Sequence, residues 1–291
     1  MSQLFSDHTP ASGDAQVNGL RLHFLDWGGV GTPIVIVHAT GFLGRVYRPI
    51  ALTLRSTGHV YSYDQRGHGD SECPPLEEIN WYKTVDDLEG FLLAMGVRRV
   101  RAFGHSAGGT AIAAVAAKRP DLIAAAMIVE PVIVDQADAN QRPTDLSERT
   151  LKRKPGFDSL AAMYANFAGK PPYMTWDPAV LRDYCEYGTR ADAEQRRILK
   201  CAPALEARFY QTARDFDGLS RILATTVPLL VVFGERSESP GIEFGERIAR
   251  SAPNCRIAVV PGAGHLVPME QPEQIAQMAL QFFGDVAARG A

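Results

Sequence analysis

Ser106 stands in the run Gly104-His105-Ser106-Ala107-Gly108, a setting that turns a hydroxyl into a nucleophile. The residues before it, Arg98-Arg99-Val100-Arg101-Ala102-Phe103, read as a short strand. Those after it, Gly109 to Ala117, read as a helix of small residues; Lys118 and Arg119 suit its negative end and Pro120 stops it. A strand that turns into a helix through Gly-x-Ser-x-Gly lifts the serine above the sheet edge, because the turn has no room for side chains at the flanking glycines. Amides at the helix N-terminus then favour negative charge developing beside the serine. A serine hydroxyl needs a base at neutral pH, and histidine titrates in the right range. His265 closes the loop Pro261-Gly262-Ala263-Gly264, whose glycines free it to carry an imidazole back over Ser106. The chemistry expected of such a pair is acyl transfer to water.

Bringing these groups together needs strands alternating with helices. Asn18-Gly19, between Ala15-Gln16-Val17 and Leu20 to Leu25, predicts a type I′ hairpin. Ile34-Val35-Ile36-Val37 is a continuous apolar run, the mark of a strand buried on both faces. Further strands are expected at Val60 to Tyr63, Ala125 to Val129, Pro228 to Phe233 and Ile257 to Val260, with an amphipathic helix from Val85 to Met95. The first 13 or so residues read as a loose arm. Between about 132 and 219 the alternation is lost and helical patterns take over, starting at Phe157, at Asp177-Pro178 and at Ala204. The expectation is an α/β fold: a doubly wound, mainly parallel sheet formed by residues 1–131 and 220–291, with an inserted helical cap over 132–219. Sites in such sheets form beyond the carboxyl ends of strands. Thr40, Asp64, Ser106, Glu130, Ser237, Glu238 and His265 all fall at such ends.

The composition of the 291-residue chain, 46% hydrophobic and 22% charged with a net charge of -3, is that of a soluble globular enzyme. It gives no reason to expect nucleic acid or an anionic membrane as partner. No secretory signal or bilayer-spanning run is visible, and Cys73, Cys185, Cys201 and Cys255 lack paired spacing. Free thiols in a reducing cytoplasm are expected. No spacing of histidines and carboxylates suggests a metal, and no motif asks for a cofactor.

The Gly104–Gly108 turn, Asp64-Gln65-Arg66-Gly67-His68-Gly69 and Gly262-Ala263-Gly264-His265 together resemble the α/β-hydrolase family in type, order and spacing. The resemblance runs almost the length of the core and implies a serine hydrolase. Phe157, Trp176-Asp177-Pro178 and Leu199-Lys200-Cys201 are similar to a less studied branch that includes fungal toxin-biosynthesis hydrolases. By family analogy the amides of Thr40 and Ala107 would hold the oxyanion, with Phe42 as the alternative donor. Two departures stand out. The usual His-Gly of the oxyanion loop is His38-Ala39, and Ser237 occupies the position after the Leu229–Phe233 strand where aspartate is expected. The acid is then Glu130, at the end of the preceding core strand, or Glu238. A carboxylate closing a buried apolar strand needs a strong partner, which favours Glu130; Glu238 reads equally well as a solvated charge.

His38, His105 and Ser237 are expected to support the site from behind, while Asp64 and Arg66 shape the neighbouring loop. Phe42, Phe157, Tyr164 and Trp176 are expected to line an apolar pocket. Arg149, Lys152, Arg153 and Lys154 read as a solvated basic face, with steering of an anionic substrate as the other reading. The leading activity is hydrolysis of a carboxylic ester or lactone of a small, largely apolar substrate. A carbon–carbon hydrolase acting on a β-diketone and a ligand receptor with vestigial turnover are the rivals. The partner expected is the small-molecule substrate, on a monomer or homodimer.

Overall fold

A computed structural model of the chain describes residues 8–133, 145–237, 241–252 and 254–290. Its strands, in chain order, are β1 (Ala11–Val17), β2 (Leu20–Gly28), β3 (Pro33–Val37), β4 (His59–Tyr63), β5 (Val100–His105), β6 (Ile123–Val129), β7 (Gly156–Phe157), β8 (Thr189–Ala191), β9 (Arg197–Leu199), β10 (Leu229–Gly234) and β11 (Cys255–Val260). The main sheet has eight strands in the order β1-β2-β4-β3-β5-β6-β10-β11. From β4 onward its neighbours pair in parallel, while β2 runs antiparallel to both β1 and β4. Asn18 and Gly19 both take positive φ, 51° and 80°, as a type I′ turn requires.

The helices are α1 (Arg48–Leu54), α2 (Trp81–Ala94), α3 (Ala107–Lys118), α4 (Asp145–Leu151), α5 (Leu160–Ala168), α6 (Pro178–Tyr187), α7 (Pro203–Thr212), α8 (Gly218–Leu223), α9 (Gly241–Ser251), α10 (Val267–Glu270) and α11 (Pro272–Gly290). Helices α1 and α11 pack together on one side of the sheet, and α2, α3 and α8 on the other. Strand alternation feeds both cores: Ile34 and Ile36 face the first, Val35 and Val37 the second. All four are essentially inaccessible to solvent, each contributing roughly 1.5–3 kcal/mol by burial. Helix α3 is buried from Ala107 to Ala116, which its run of glycine and alanine permits.

Two local expectations need correction. Pairing with β2 begins at Ala11, inside the stretch expected to be a loose arm. The first half of β1 is mostly exposed; backbone bonds to β2 and the contact of Ser12 Oγ with His23 Nε2 at 2.9 Å hold it at the sheet edge, and no side-chain alternation announces it. The segment between β6 and β10 also contains a three-stranded antiparallel sheet, β7-β9-β8. Strands of two or three residues are too short to display a period of two. Phe157, expected to open a helix, lies in β7; Ser159 caps the helix instead, accepting from Ala162 N–H at 3.1 Å. Asp177 caps α6 through Ala179 N–H, with Pro178 as its first residue.

Candidate active site

Ser106 follows β5 and precedes α3 with φ 51° and ψ −120°, a backbone state that costs a non-glycine residue on the order of 1–3 kcal/mol. Its neighbours explain how the strain is held. A Cβ at Gly104 would lie 2.7 Å from Gly109 N, and one at Gly108 would overlap the Val37 carbonyl oxygen. The ladder continues through the turn, with Ser106 N–H donating to Val129 O at 2.9 Å. The side chain is thereby turned outward, although Ser106 as a whole is only 7% exposed.

His265 reaches it from the loop after β11. Its Nε2 lies 3.2 Å from Ser106 Oγ, and its Nδ1 lies 3.0 Å from Glu130 Oε2. With Nδ1–H donating to the carboxylate, Nε2 is left to accept the serine proton. Glu130 ends β6 in the left-handed region, φ 51°, and is fully buried. Both of its oxygens are engaged: Oε1 accepts from Gly234 N–H at 2.6 Å, and Oε2 also accepts from Ser237 Oγ at 2.6 Å. With these donors the buried carboxylate leaves neither oxygen unpaired. Glu238 lies outside the described residues.

The loop 38–42 is fastened by three buried histidines. His38 Nε2 accepts from Gln65 N–H at 2.9 Å, so its Nδ1–H donates to Ala39 O at 2.7 Å. His68 Nε2 accepts from Gly41 N–H at 3.0 Å, and its Nδ1–H donates to Arg66 O. His105 Nδ1 accepts from the Tyr47 hydroxyl, which in turn accepts from Ala39 N–H at 3.1 Å. Burial lowers the affinity of His38 for a proton and pushes His68 and His105 down to about 3. Ala39, in place of the usual glycine, has no positive φ and packs into the core, so its Cβ is accommodated without backbone strain. Phe42 N–H donates to Ala39 O at 3.2 Å, which engages the alternative oxyanion donor. The amides of Thr40 and Ala107 make no hydrogen bond among the described residues.

A cavity of about 930 Å³ opens over Ser106 and His265, between the strand ends and the segment carrying α4 to α7. Phe42 and Phe157 line it, as do Trp81, Phe167 and Leu266. Tyr164 and Trp176, expected in the pocket, do not. Trp176 is buried behind the wall, its ring 5.2 Å from that of Phe42, and Tyr164 packs against the core elsewhere. Nor is the wall as apolar as expected, because Arg149, Lys152, Arg153 and Lys154 all contribute to it. The basic run lines the cavity, with Arg149, Lys152 and Lys154 also exposed to solvent at its mouth.

Residues 34–278 match the sequence profile of the alpha/beta hydrolase family. The chain belongs to that family. Among curated relatives, this alpha/beta hydrolase is 28% identical over 254 residues to a 2-(acetamidomethylene)succinate hydrolase of Mesorhizobium japonicum, covering 84% of this chain and 85% of the relative. It superposes on the crystal structure of an E-2-(acetamidomethylene)succinate hydrolase with a TM-score of 0.84 at 23% identity, over 95% of this chain and 100% of that one. A thermophilic esterase from Thermogutta terrifontis gives a TM-score of 0.72 at 24% identity, over 95% and 99%. These structural likenesses speak for the fold.

Other polar groups of the hydrolase serve its framework. Arg66 is buried against Asp87, with Nε 2.6 Å and Nη2 2.8 Å from its oxygens. Asp64 accepts from Gly44 N–H and Asp70 N–H and faces His23 Nδ1 at 2.9 Å. His23, Asp64 and Asp70 form the one cluster among the described residues close enough to hold a metal ion. Asp64 is engaged by these bonds, and Asp70 Oδ1 lies 2.6 Å from Lys200 Nζ. No helix among the described residues is long and apolar enough to cross a membrane. Tyr47, the Gly41 bond to His68 and the Gly234 amide carry no local pattern in the sequence that would mark them as part of the site.

Proposed function

We propose that this hydrolase cleaves carboxylic acid derivatives, esters first, through an acyl-enzyme on Ser106. Ser106 Oγ attacks the carbonyl carbon while its proton passes to His265 Nε2. Glu130 holds the imidazole in the tautomer that can accept that proton and steadies the charge it gains. The oxyanion rests on the Thr40 and Ala107 amides, which have no acceptor among the described residues. His265 returns the proton to the leaving alcohol, then takes one from water, which releases the acid and restores Ser106. The observation that carries this reading is the pair of contacts at His265, to Ser106 Oγ at 3.2 Å and to Glu130 at 3.0 Å. The substituted acetamide in the name of the Mesorhizobium relative favours an amide as the second reading, and the same steps serve it with an amine leaving.

The test pairs a fluorophosphonate probe with a short p-nitrophenyl ester. Wild type is expected to be labelled and to turn the ester over. Ser106→Ala is expected to do neither, with kcat down about 10,000-fold or more. Turnover that survives in a folded Ser106→Ala protein rejects the scheme.

A further inference from the structure

The His265 side chain is 44% exposed, so packing does little to fix the imidazole, and its placement depends on the loop that carries it. That loop contains Gly262 and Gly264 and has little side-chain surface of its own, so bonds to its neighbours must remove its freedom. Gln271 Nε2 donates to Pro261 O at 3.1 Å, and Gly262 N–H donates to Glu235 Oε2 at 2.8 Å. The amide immediately before the histidine, Gly264 N–H, donates to Glu270 Oε2 at 3.0 Å.

The other oxygen of Glu270 reaches across to the segment between β6 and β10. There Oε1 accepts from Thr175 Oγ1 at 3.0 Å. Of the side chains bonded to the backbone of the histidine loop, Glu270 alone is bonded to that segment as well, among the described residues. A second bond runs beside it, from Asp177 N–H to Met269 O at 2.8 Å. Between the two, the ring of Trp176 stands edge-on to Phe42 and 5.0 Å from that of Tyr173, which lines the cavity. The stretch 173–177 is therefore both a wall of the cavity and an anchor for the loop of the base.

We propose that Glu270 is a positioning residue for His265. One carboxylate oxygen fixes the amide before the imidazole, and the other ties that loop to the cavity wall, so that wall and base keep one relative position. The service to catalysis rests on the serine-hydrolase reading; the bridge itself does not.

A bridge and a charge separate at glutamine. Its oxygen can accept from Gly264 N–H while its amide donates to Thr175 Oγ1, whose own proton then goes to Pro172 O, 3.1 Å away. Alanine offers neither contact. The experiment measures p-nitrophenyl butyrate turnover, and amide hydrogen exchange over 172–177 and 261–266, in wild type, Glu270→Ala, Glu270→Gln and Thr175→Val. Glu270→Ala is expected to lower kcat about 30- to 100-fold with KM within about twofold, because the base is displaced while the cavity remains. Glu270→Gln is expected to rescue kcat to within about threefold of wild type. Exchange over both stretches is expected to rise about tenfold or more in Glu270→Ala, and to rise over 261–266 by about threefold in Thr175→Val, which frees only the far end of the bridge.

Unchanged kcat in Glu270→Ala, or a loss carried by KM, overturns the positioning role. Glu270→Gln as slow as Glu270→Ala overturns it too, since the charge and not the bridge would then matter. Should Glu270→Ala fail to fold, Thr175→Val decides, and unchanged exchange over 261–266 overturns the bridge. If wild type turns over no ester and takes no fluorophosphonate, the hydrolase reading has failed. Exchange then judges the bridge alone: faster in Glu270→Ala and Thr175→Val supports it, and unchanged in both overturns it.

Discussion

His105 Nε2 donates to the backbone carbonyl of His265 at 2.9 Å, so the residue beside the proposed nucleophile holds in place the loop that carries its proposed base. The other ring nitrogen of His105 accepts from Tyr47 at 2.8 Å, and Tyr47 accepts from Ala39. One unbroken line of bonds thus joins the oxyanion loop, the serine turn and the histidine loop. All of it depends on His105 remaining a neutral imidazole, with Nε2 as donor and Nδ1 as acceptor.

Tyr47→Phe cuts that line in the middle. It leaves Ala39 N–H and His105 Nδ1 buried without partners, at a cost of about 1–3 kcal/mol. Urea denaturation is expected to show a loss of that size. A variant as stable as wild type contradicts the bracing role.

Replacing Glu130 by Gln keeps the shape of the side chain but removes the charge facing His265. The expected fall in kcat is about 1,000- to 10,000-fold. Ser237→Ala removes only one of the bonds to that carboxylate, and Gly234 N–H remains. It is expected to lower kcat roughly tenfold, the equivalent of about 1.4 kcal/mol. If Ser237→Ala proves as damaging as Glu130→Gln, the carboxylate is not the main partner of the imidazole.

His38, His68 and His105 set a pH dependence of stability. Unfolded, each takes up a proton as pH falls through its ordinary value of 6.5; folded, burial keeps His68 and His105 neutral until about 3 and holds His38 low as well. Between those values the unfolded chain binds more protons, so stability falls as the pH falls. The expected loss, below pH 6.5, is at most about 1.4 kcal/mol per pH unit for each histidine. Guanidinium midpoints measured from pH 7.5 to 5 should decline, and His68→Gln should flatten the slope by one proton. A flat profile refutes the account.

Gly108→Ala places a methyl group against the Val37 carbonyl, a backbone atom inside the sheet that cannot step aside. The variant is expected to be insoluble or, if folded, to react with a fluorophosphonate at least about 100-fold more slowly, since a shift of the serine by an ångström costs that much. Wild-type labelling rates would show that the turn is looser than its geometry implies.

What the chain discloses on its own is what neighbours along it decide. The Asn18-Gly19 turn, the apolar run of β3, the Asp177-Pro178 start of α6 and the glycine-flanked Ser106 all depend on contacts within a few residues, and each can be read as written. The order of the proposed site residues along the chain is legible for the same reason, since every one follows a recognisable strand. What meets His265 is a different matter. Glu130 lies 135 residues away from it in sequence, and its geometry depends on Gly234 N–H and Ser237, which another strand supplies. The engaged Phe42 amide, the burial of Trp176 behind the wall and the turning of the basic run into the cavity likewise depend on where whole elements pack. Such contacts leave no period and no spacing in the sequence, because they are fixed by the meeting of surfaces and not by the path of the backbone between adjacent residues.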